Sequence, residues 1–256
     1  MVIIDKKTVA GIPLLEVVPQ KLVEEATPTV IFLHGFTSAK EHNLHYAYLL
    51  AEKNIRVLLP EANYHGERSK KISIHELAIH FWEIILQSIH EINQLKEAYV
   101  KLGKTLPDKI GIAGTSMGAI TTLGALSIYP WIRTAVSLMG SPAYYTFAQD
   151  LVHKLTSSGQ KLPFSEEQLQ AEFEKLLPFD LSQQPEKLDK RPLLFWHGKK
   201  DRTVPYSYAY HFYEENKNQY QDTPEKFQFI LDENADHKVS RKGLLEATAW
   251  FEKYLI

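Results

Sequence analysis

Residues 111–119 read Gly-Ile-Ala-Gly-Thr-Ser-Met-Gly-Ala, and the reading of this stretch decides the fold. Upstream, "DKIGIA" (108–113) places isoleucines at 110 and 112 among small residues, the pattern of a short buried strand. Downstream, "MGAITTLGALSIYP" is a run of small and apolar residues that predicts a buried helix ending before Pro130. Gly114-Thr115-Ser116-Met117-Gly118 therefore lies where a strand hands over to a helix. One reading is a tight turn that needs glycine; the other is a nucleophile elbow, G-x-S-x-G, with Ser116 held out on a strained turn. Three fixed positions match by chance in roughly one chain of this length in ten, so the pentapeptide alone does not decide. The strand–turn–helix setting adds weight, because a helix N-terminus beneath the serine offers free N–H groups to a developing negative charge.

The flanking chain repeats the strand–helix rhythm. "TVIFLHG" (29–35) and "IRVLLPE" (55–61) read as strands around a helix at 44–54. Residues 73–99 carry apolar side chains at three- and four-residue spacing and predict one long amphipathic helix. Further strands are expected within 133–142, 191–201 and 225–237, with a last helix over 240–256. The first 19 residues read as an antiparallel edge hairpin. Such alternation predicts an α/β fold in one domain over 1–256, a mostly parallel, doubly wound sheet with helices on both faces. Residues 143–190 break the rhythm with two helical patterns and no strand, and are expected to form a small helical cap.

Composition bounds the function. Hydrophobic residues make up 44 % and charged ones 23 % of the 256, ordinary for a globular protein with a proper core. A net charge of −2 with acid and base interspersed gives no basic face for nucleic acid or an anionic membrane. The absence of cysteine excludes disulfides, thiolate metal sites and a cysteine nucleophile. No apolar window reaches the length of a membrane span and the N-terminus lacks a secretory leader, so the cytoplasm is the expected compartment.

In an open parallel sheet, ligands bind at the carboxyl ends of the strands, so the partners of Ser116 are sought in the loops there. Asp201 follows the strand in "RPLLFWHG", and His237 follows the strand in "EKFQFILDE". The order serine, aspartate, histidine suits a triad in which the histidine takes the serine proton and the aspartate fixes its tautomer. His197 reads as part of a packing turn, His153 and His211 fall on helices, and Asp232 and Asp236 are less well placed than Asp201. The loop "HGFTSAKE" (34–41) is expected to supply a second oxyanion donor, the N–H of Phe36, beside that of Met117. Tyr64, His65, Tyr144 and Phe147 are candidates for a substrate pocket, with a structural turn as the alternative for the first two and plain packing for the last two. "HELAIH" (75–80) separates its histidines by five residues, about 140° around a helix, and so does not form a zinc helix. A metal on His42 and His45 would need ligands that the sequence does not identify.

"HGF", "GTSMG", "GKKDRTVP" and "ADHKVS", in this order over nearly the whole chain, resemble the α/β-hydrolase superfamily. More narrowly they resemble the bacterial serine esterases of the prolyl-oligopeptidase and dienelactone-hydrolase branch. "LPEANYHGERS" (59–69) is similar to that branch's segment after the fourth strand, with Tyr64 in place of its first glycine. The resemblance implies Ser116 as nucleophile, His237 as base, Asp201 as acid, Phe36 and Met117 as oxyanion donors, and no cofactor. It departs from dienelactone hydrolases in having serine at the elbow, and from prolyl-type peptidases in leaving no room for a propeller domain. The expected activity is acyl-enzyme hydrolysis of a small or medium carboxylic ester. Thioester, amide or acyl-transfer chemistry on the same triad is the alternative, as is a non-catalytic binding protein on the same fold. The expected partner is a small ester, and self-association is left open.

Overall fold

Residues 1–157, 159 and 163–256 are described by the structure, a computed structural model. Its eight strands are β1 (Val2–Val9), β2 (Ile12–Pro19), β3 (Thr27–Leu33), β4 (Arg56–Pro60), β5 (Thr105–Thr115), β6 (Thr134–Leu138), β7 (Leu193–Gly198) and β8 (Phe227–Asp232). They form one sheet in the order β1-β2-β4-β3-β5-β6-β7-β8. β1 and β2 make the edge hairpin, β2 pairs antiparallel with β4, and every pairing from β4 to β8 is parallel. The mostly parallel, doubly wound sheet expected from the alternation is thus present.

Alternation within strands creates the two layers. Ile31 and Leu33 of β3 join a core with Ile112 and Phe195. Helices α3 (Phe81–Lys101) and α4 (Met117–Ile128) close that side, through residues such as Ile85, Ile89, Ile120 and Leu123. Val30 and Phe32 face the other way, onto α1 (Leu44–Glu52) and α8 (Arg241–Leu255), where Tyr46, Leu50, Trp250 and Phe251 bury them. Burying a side chain of this size contributes about 1.5–3 kcal/mol, and both sheet faces are lined with them.

The chain leaves β3 for β4 on one side and returns to β5 on the other. The ends of β3 and β5 therefore flank a topological switch point, where such folds leave a crevice. Both the elbow and the "HGFTSAKE" loop open there.

The single helix expected over 73–99 is two helices, α2 (Ile74–Ile79) and α3, broken at His80. Ser73 and Glu76 form a reciprocal capping box that starts α2, which is the use the chain makes of the glutamate in "HELAIH". Ile74 and Ile79 stay exposed and α2 sets only Leu77 against the core, while the apolar face of α3 is buried. Between β6 and β7 lie α5 (Tyr144–Ser157), α6 (Glu166–Glu174) and three short 3₁₀ turns, with no strand among the described residues. Both helices coincide with the patterns read from 143–190. Among the described residues, no helix is long and apolar enough to cross a membrane.

Candidate active site

The turn from β5 to α4 puts Ser116 at φ 53°, ψ −117°, a conformation that L-residues avoid. The neighbouring glycines explain how the chain tolerates it. A Cβ on Gly114 would lie 2.3 Å from the carbonyl of Gly118, and one on Gly118 would lie 2.3 Å from the carbonyl oxygen of Leu33. Strand, helix and β3 approach too closely for any larger residue. The Ser116 N–H donates to the Leu138 carbonyl at 2.9 Å, and its own carbonyl accepts from Ile120, which pins the turn at both ends.

The structure brings the three residues chosen from strand ends together. The Ser116 hydroxyl donates to His237 Nε2 at 2.8 Å, and His237 Nδ1–H donates to Asp201 Oδ2 at 2.7 Å. The His237 ring is one quarter exposed and the Asp201 side chain is sealed. Asp201 is held by its own loop: Oδ1 accepts the N–H groups of Thr203 and Val204 at 2.9 and 3.0 Å. Burial opposes ionisation there, but hydrogen bonds from His197 and His237 hold the carboxyl well below its usual range. It is a fixed negative charge at any ordinary pH.

His197 reads on sequence as part of a packing turn, and the structure corrects that. Its Nε2–H donates to the Val204 carbonyl at 2.8 Å and lies 3.2 Å from Asp201 Oδ2, so it braces the acid. Its position at the end of β7, four residues before Asp201, is the signal the sequence carries.

The N–H groups of Phe36 and Met117 donate to no protein group among the described residues. A Cβ on Gly35 would stand 3.5 Å from that of Ser116, so the loop carrying Phe36 lies directly against the serine.

Two pocket candidates are corrected. Tyr144 is fully buried, and its hydroxyl donates to the Ile120 carbonyl at 2.6 Å, so it packs α5 onto α4. His65 is 3 % exposed and both ring nitrogens are engaged, Nδ1 with the Asn63 carbonyl at 2.8 Å and Nε2 with the Thr37 N–H at 3.0 Å. Tyr64, at φ 62°, stacks its ring on His80 at 4.6 Å under the Lys70 ammonium. Phe147 is buried between Trp82 and Tyr208.

Around the buried Phe147 runs an aromatic arc of half-buried rings: Phe36 against Phe81, Phe81 against Trp82, and, across Phe147, Tyr208 of α7 (Ser207–Asn216). Apart from Phe36 and Phe147, sequence reasoning misses it, because Phe81 and Trp82 share one apolar period with the core residues of α3.

A second buried polar group lies behind the loop. Glu61 accepts from Lys40 Nζ at 2.6 Å and from the Lys40 N–H at 3.1 Å, and lies 3.2 Å from His34 Nε2. Glu41, Glu61 and Glu67 converge as metal ligands would, but the cation they surround is the Lys40 ammonium, 2.6–2.9 Å from all three.

A doubly wound sheet with a strained serine at the switch point and a Ser–His–Asp chain defines the α/β-hydrolase class. The profile of the prolyl oligopeptidase family matches residues 87–256. The chain belongs to that family. It is 53 % identical over 255 residues to the esterase-named YitV of Bacillus subtilis (strain 168), covering 100 % of each chain. It is 34 % identical over 209 residues to esterase YjfP of Escherichia coli (strain K12), covering 80 % of this chain and 81 % of that one. Its fold also matches TT1662 from Thermus thermophilus with a TM-score of 0.75 at 22 % identity, over 100 % of this chain and 98 % of that one.

Proposed function

We propose that this protein hydrolyses carboxylic esters of small to medium size through an acyl-enzyme formed on Ser116. The observation that carries the reading is the unbroken chain Ser116–His237–Asp201, hydrogen-bonded at 2.8 and 2.7 Å beside two N–H groups that donate to no protein group among the described residues. His237 takes the serine proton as Ser116 attacks the ester carbonyl, and Asp201 steadies the resulting imidazolium. The N–H groups of Phe36 and Met117 receive the oxyanion. His237 then returns the proton to the leaving alcohol, and a water deprotonated by the same nitrogen releases the acid. The esterase names of both curated relatives support an ester as substrate. The aromatic arc beside Phe36 supports an apolar acyl or alcohol group in contact with Phe81, Trp82 and Tyr208.

The test is turnover of p-nitrophenyl esters from acetyl to dodecanoyl by the unsubstituted protein and by Ser116→Ala. The expected result is a maximum at one chain length and a loss on the order of 10⁶-fold in kcat in the variant. No turnover of any ester, with the two proteins alike, overturns the reading. Turnover confined to thioester or amide analogues moves the same triad to the alternative substrate class.

A further inference from the structure

We infer that His34 and His65 are a pair of positioning residues that fix the Phe36 oxyanion donor, each by holding one of the two peptides flanking it. The inference rests on the serine-hydrolase reading above and deepens it.

A trans peptide is planar, with its C=O and N–H pointing to opposite sides, so holding one end aims the other. The Phe36 N–H shares a plane with the Gly35 carbonyl. That carbonyl accepts His34 Nδ1–H at 2.9 Å and the Ser38 N–H at 3.2 Å. The free N–H on the far side of the plane is thereby aimed, and donation to the carbonyl polarises the same peptide and makes its N–H the stronger donor. The next plane joins the Phe36 carbonyl to the Thr37 N–H. The Thr37 N–H donates to His65 Nε2 at 3.0 Å, and the Thr37 hydroxyl donates to the Phe36 carbonyl at 2.7 Å.

Thr37 sits at φ 59°, where a β-branched residue is a genuine outlier. Such a conformation persists only where its surroundings over-determine it, and the His65 acceptor supplies that constraint.

The ring partners also place a proton on Nδ1 of each. His34 Nδ1 faces the Gly35 carbonyl, while its Nε2 lies 3.1 Å from the Ala62 N and 3.2 Å from Glu61 Oε1. His65 Nδ1 faces the Asn63 carbonyl, and its Nε2 faces the Thr37 N–H. Each ring therefore carries a proton on Nδ1, and His65 accepts on Nε2. The rings lie 5.2 Å apart and are nearly sealed, with the Glu61–Lys40 pair fixed behind them. Ordinary packing of the segment after β4 needs neither two rings that both present Nδ1–H to a backbone carbonyl nor a strained threonine between them.

The closing experiment uses the full chain, p-nitrophenyl acetate, and a phenyl trifluoromethyl ketone, whose adduct with Ser116 places an oxyanion against the Phe36 N–H. His34→Leu and His65→Leu are expected to lose on the order of 10²-fold in kcat, the scale of a lost oxyanion donor. Ketone affinity should fall by the same factor with KM unchanged. His34→Asn keeps a donor at the Nδ1 position and His65→Gln an acceptor at the Nε2 position, and each should recover most of the loss. Retained ketone affinity in the leucine variants, or a rise in KM at constant kcat, overturns the inference. Should those variants not fold, ¹⁵N side-chain shifts of the unsubstituted protein decide: both rings are expected to carry a proton on Nδ1 and His65 none on Nε2, and a bare Nδ1 on either ring, or a proton on His65 Nε2, overturns it. Equal ketone affinity in the unsubstituted protein and Ser116→Ala would sink the serine reading itself, an outcome distinct from failure of the histidine pair alone.

Discussion

Two buried carboxylates stand on opposite sides of Ser116, and each faces a histidine. Asp201, after β7, meets His237, while Glu61, after β4, meets His34. Both acids are driven below the usual carboxylate range against the cost of burial. The difference lies at the other nitrogen of each imidazole. That of His237 faces a serine hydroxyl, which can give up its proton, in a ring one quarter open to solvent. That of His34 faces the Gly35 carbonyl, which has no proton to give, in a sealed ring. One pair ends on a group that can give up a proton, the other on a backbone carbonyl that cannot. A carboxylate beside a histidine does not define a proton relay; the third group does.

The largest test of this contrast is Asp201→Asn. The amide leaves the shape but removes the charge that steadies imidazolium and sets its tautomer, and kcat should fall about 10⁴-fold with little change in folding. Steady-state kinetics beside a melting curve checks it, and a loss under tenfold would put Asp201 in the same class as Glu61. Next is Glu61→Gln, whose main effect should be on stability. It removes the one sealed carboxylate on the buried Lys40 ammonium, and breaking a buried pair from one side costs about 3–5 kcal/mol. Urea unfolding reads that loss directly.

The same pair sets an acid limit. Burial raises the Glu61 carboxyl, but His34 and Lys40 bring it from 4.5 down to about 2. A depressed folded value means that the stabilisation is whole above about 4.5 and drains away as pH falls towards 2. The drop in denaturation midpoint over that window should be smaller in Glu61→Gln than in the unsubstituted protein. The smallest effect belongs to a third carboxylate, Asp150 of α5, which accepts the Tyr208 hydroxyl at the surface. Tyr208→Phe should cost about 1 kcal/mol or less, because an exposed charge is already solvated. A larger cost would mean that exposure does not separate these three acids.

Much of the site is legible in the amino-acid sequence because its constraints are local. Gly114 is demanded by the approach of Gly118 within one strand–turn–helix unit and Gly118 by the approach of neighbouring β3, and both fall inside the five residues in which the elbow shows. Asp201 and His237 can be chosen because parallel sheets bring every strand's carboxyl end to one rim, whatever the loops contain. The edge hairpin and both helices of 143–190 are readable from period and composition for the same reason. Where local pattern misleads, a tertiary contact has overruled it. The apolar period over 73–99 continues through His80, but the chain breaks there, because α3 has a sheet to cover while α2 sets only Leu77 against the core.

Other features lie outside any reading of neighbours along the chain. His65 and Thr37 are 28 residues apart, Lys40 and Glu61 21 apart, and neither pair carries a spacing that marks it. Tyr144 and Phe147 share a helix with exposed residues, and only the approach of Ile120 and Trp82 shows that they are core. By itself the sequence determined the class of fold, the serine elbow and the rim on which the partners of Ser116 stand, since these follow from periodicity and backbone sterics. The tertiary structure alone decided which buried acid holds a proton carrier and which holds a loop. That distinction depends on the last hydrogen-bond partner of each imidazole: for His237 the fold brings Ser116 from 121 residues away, and for His34 it turns the ring onto the carbonyl of the adjacent Gly35.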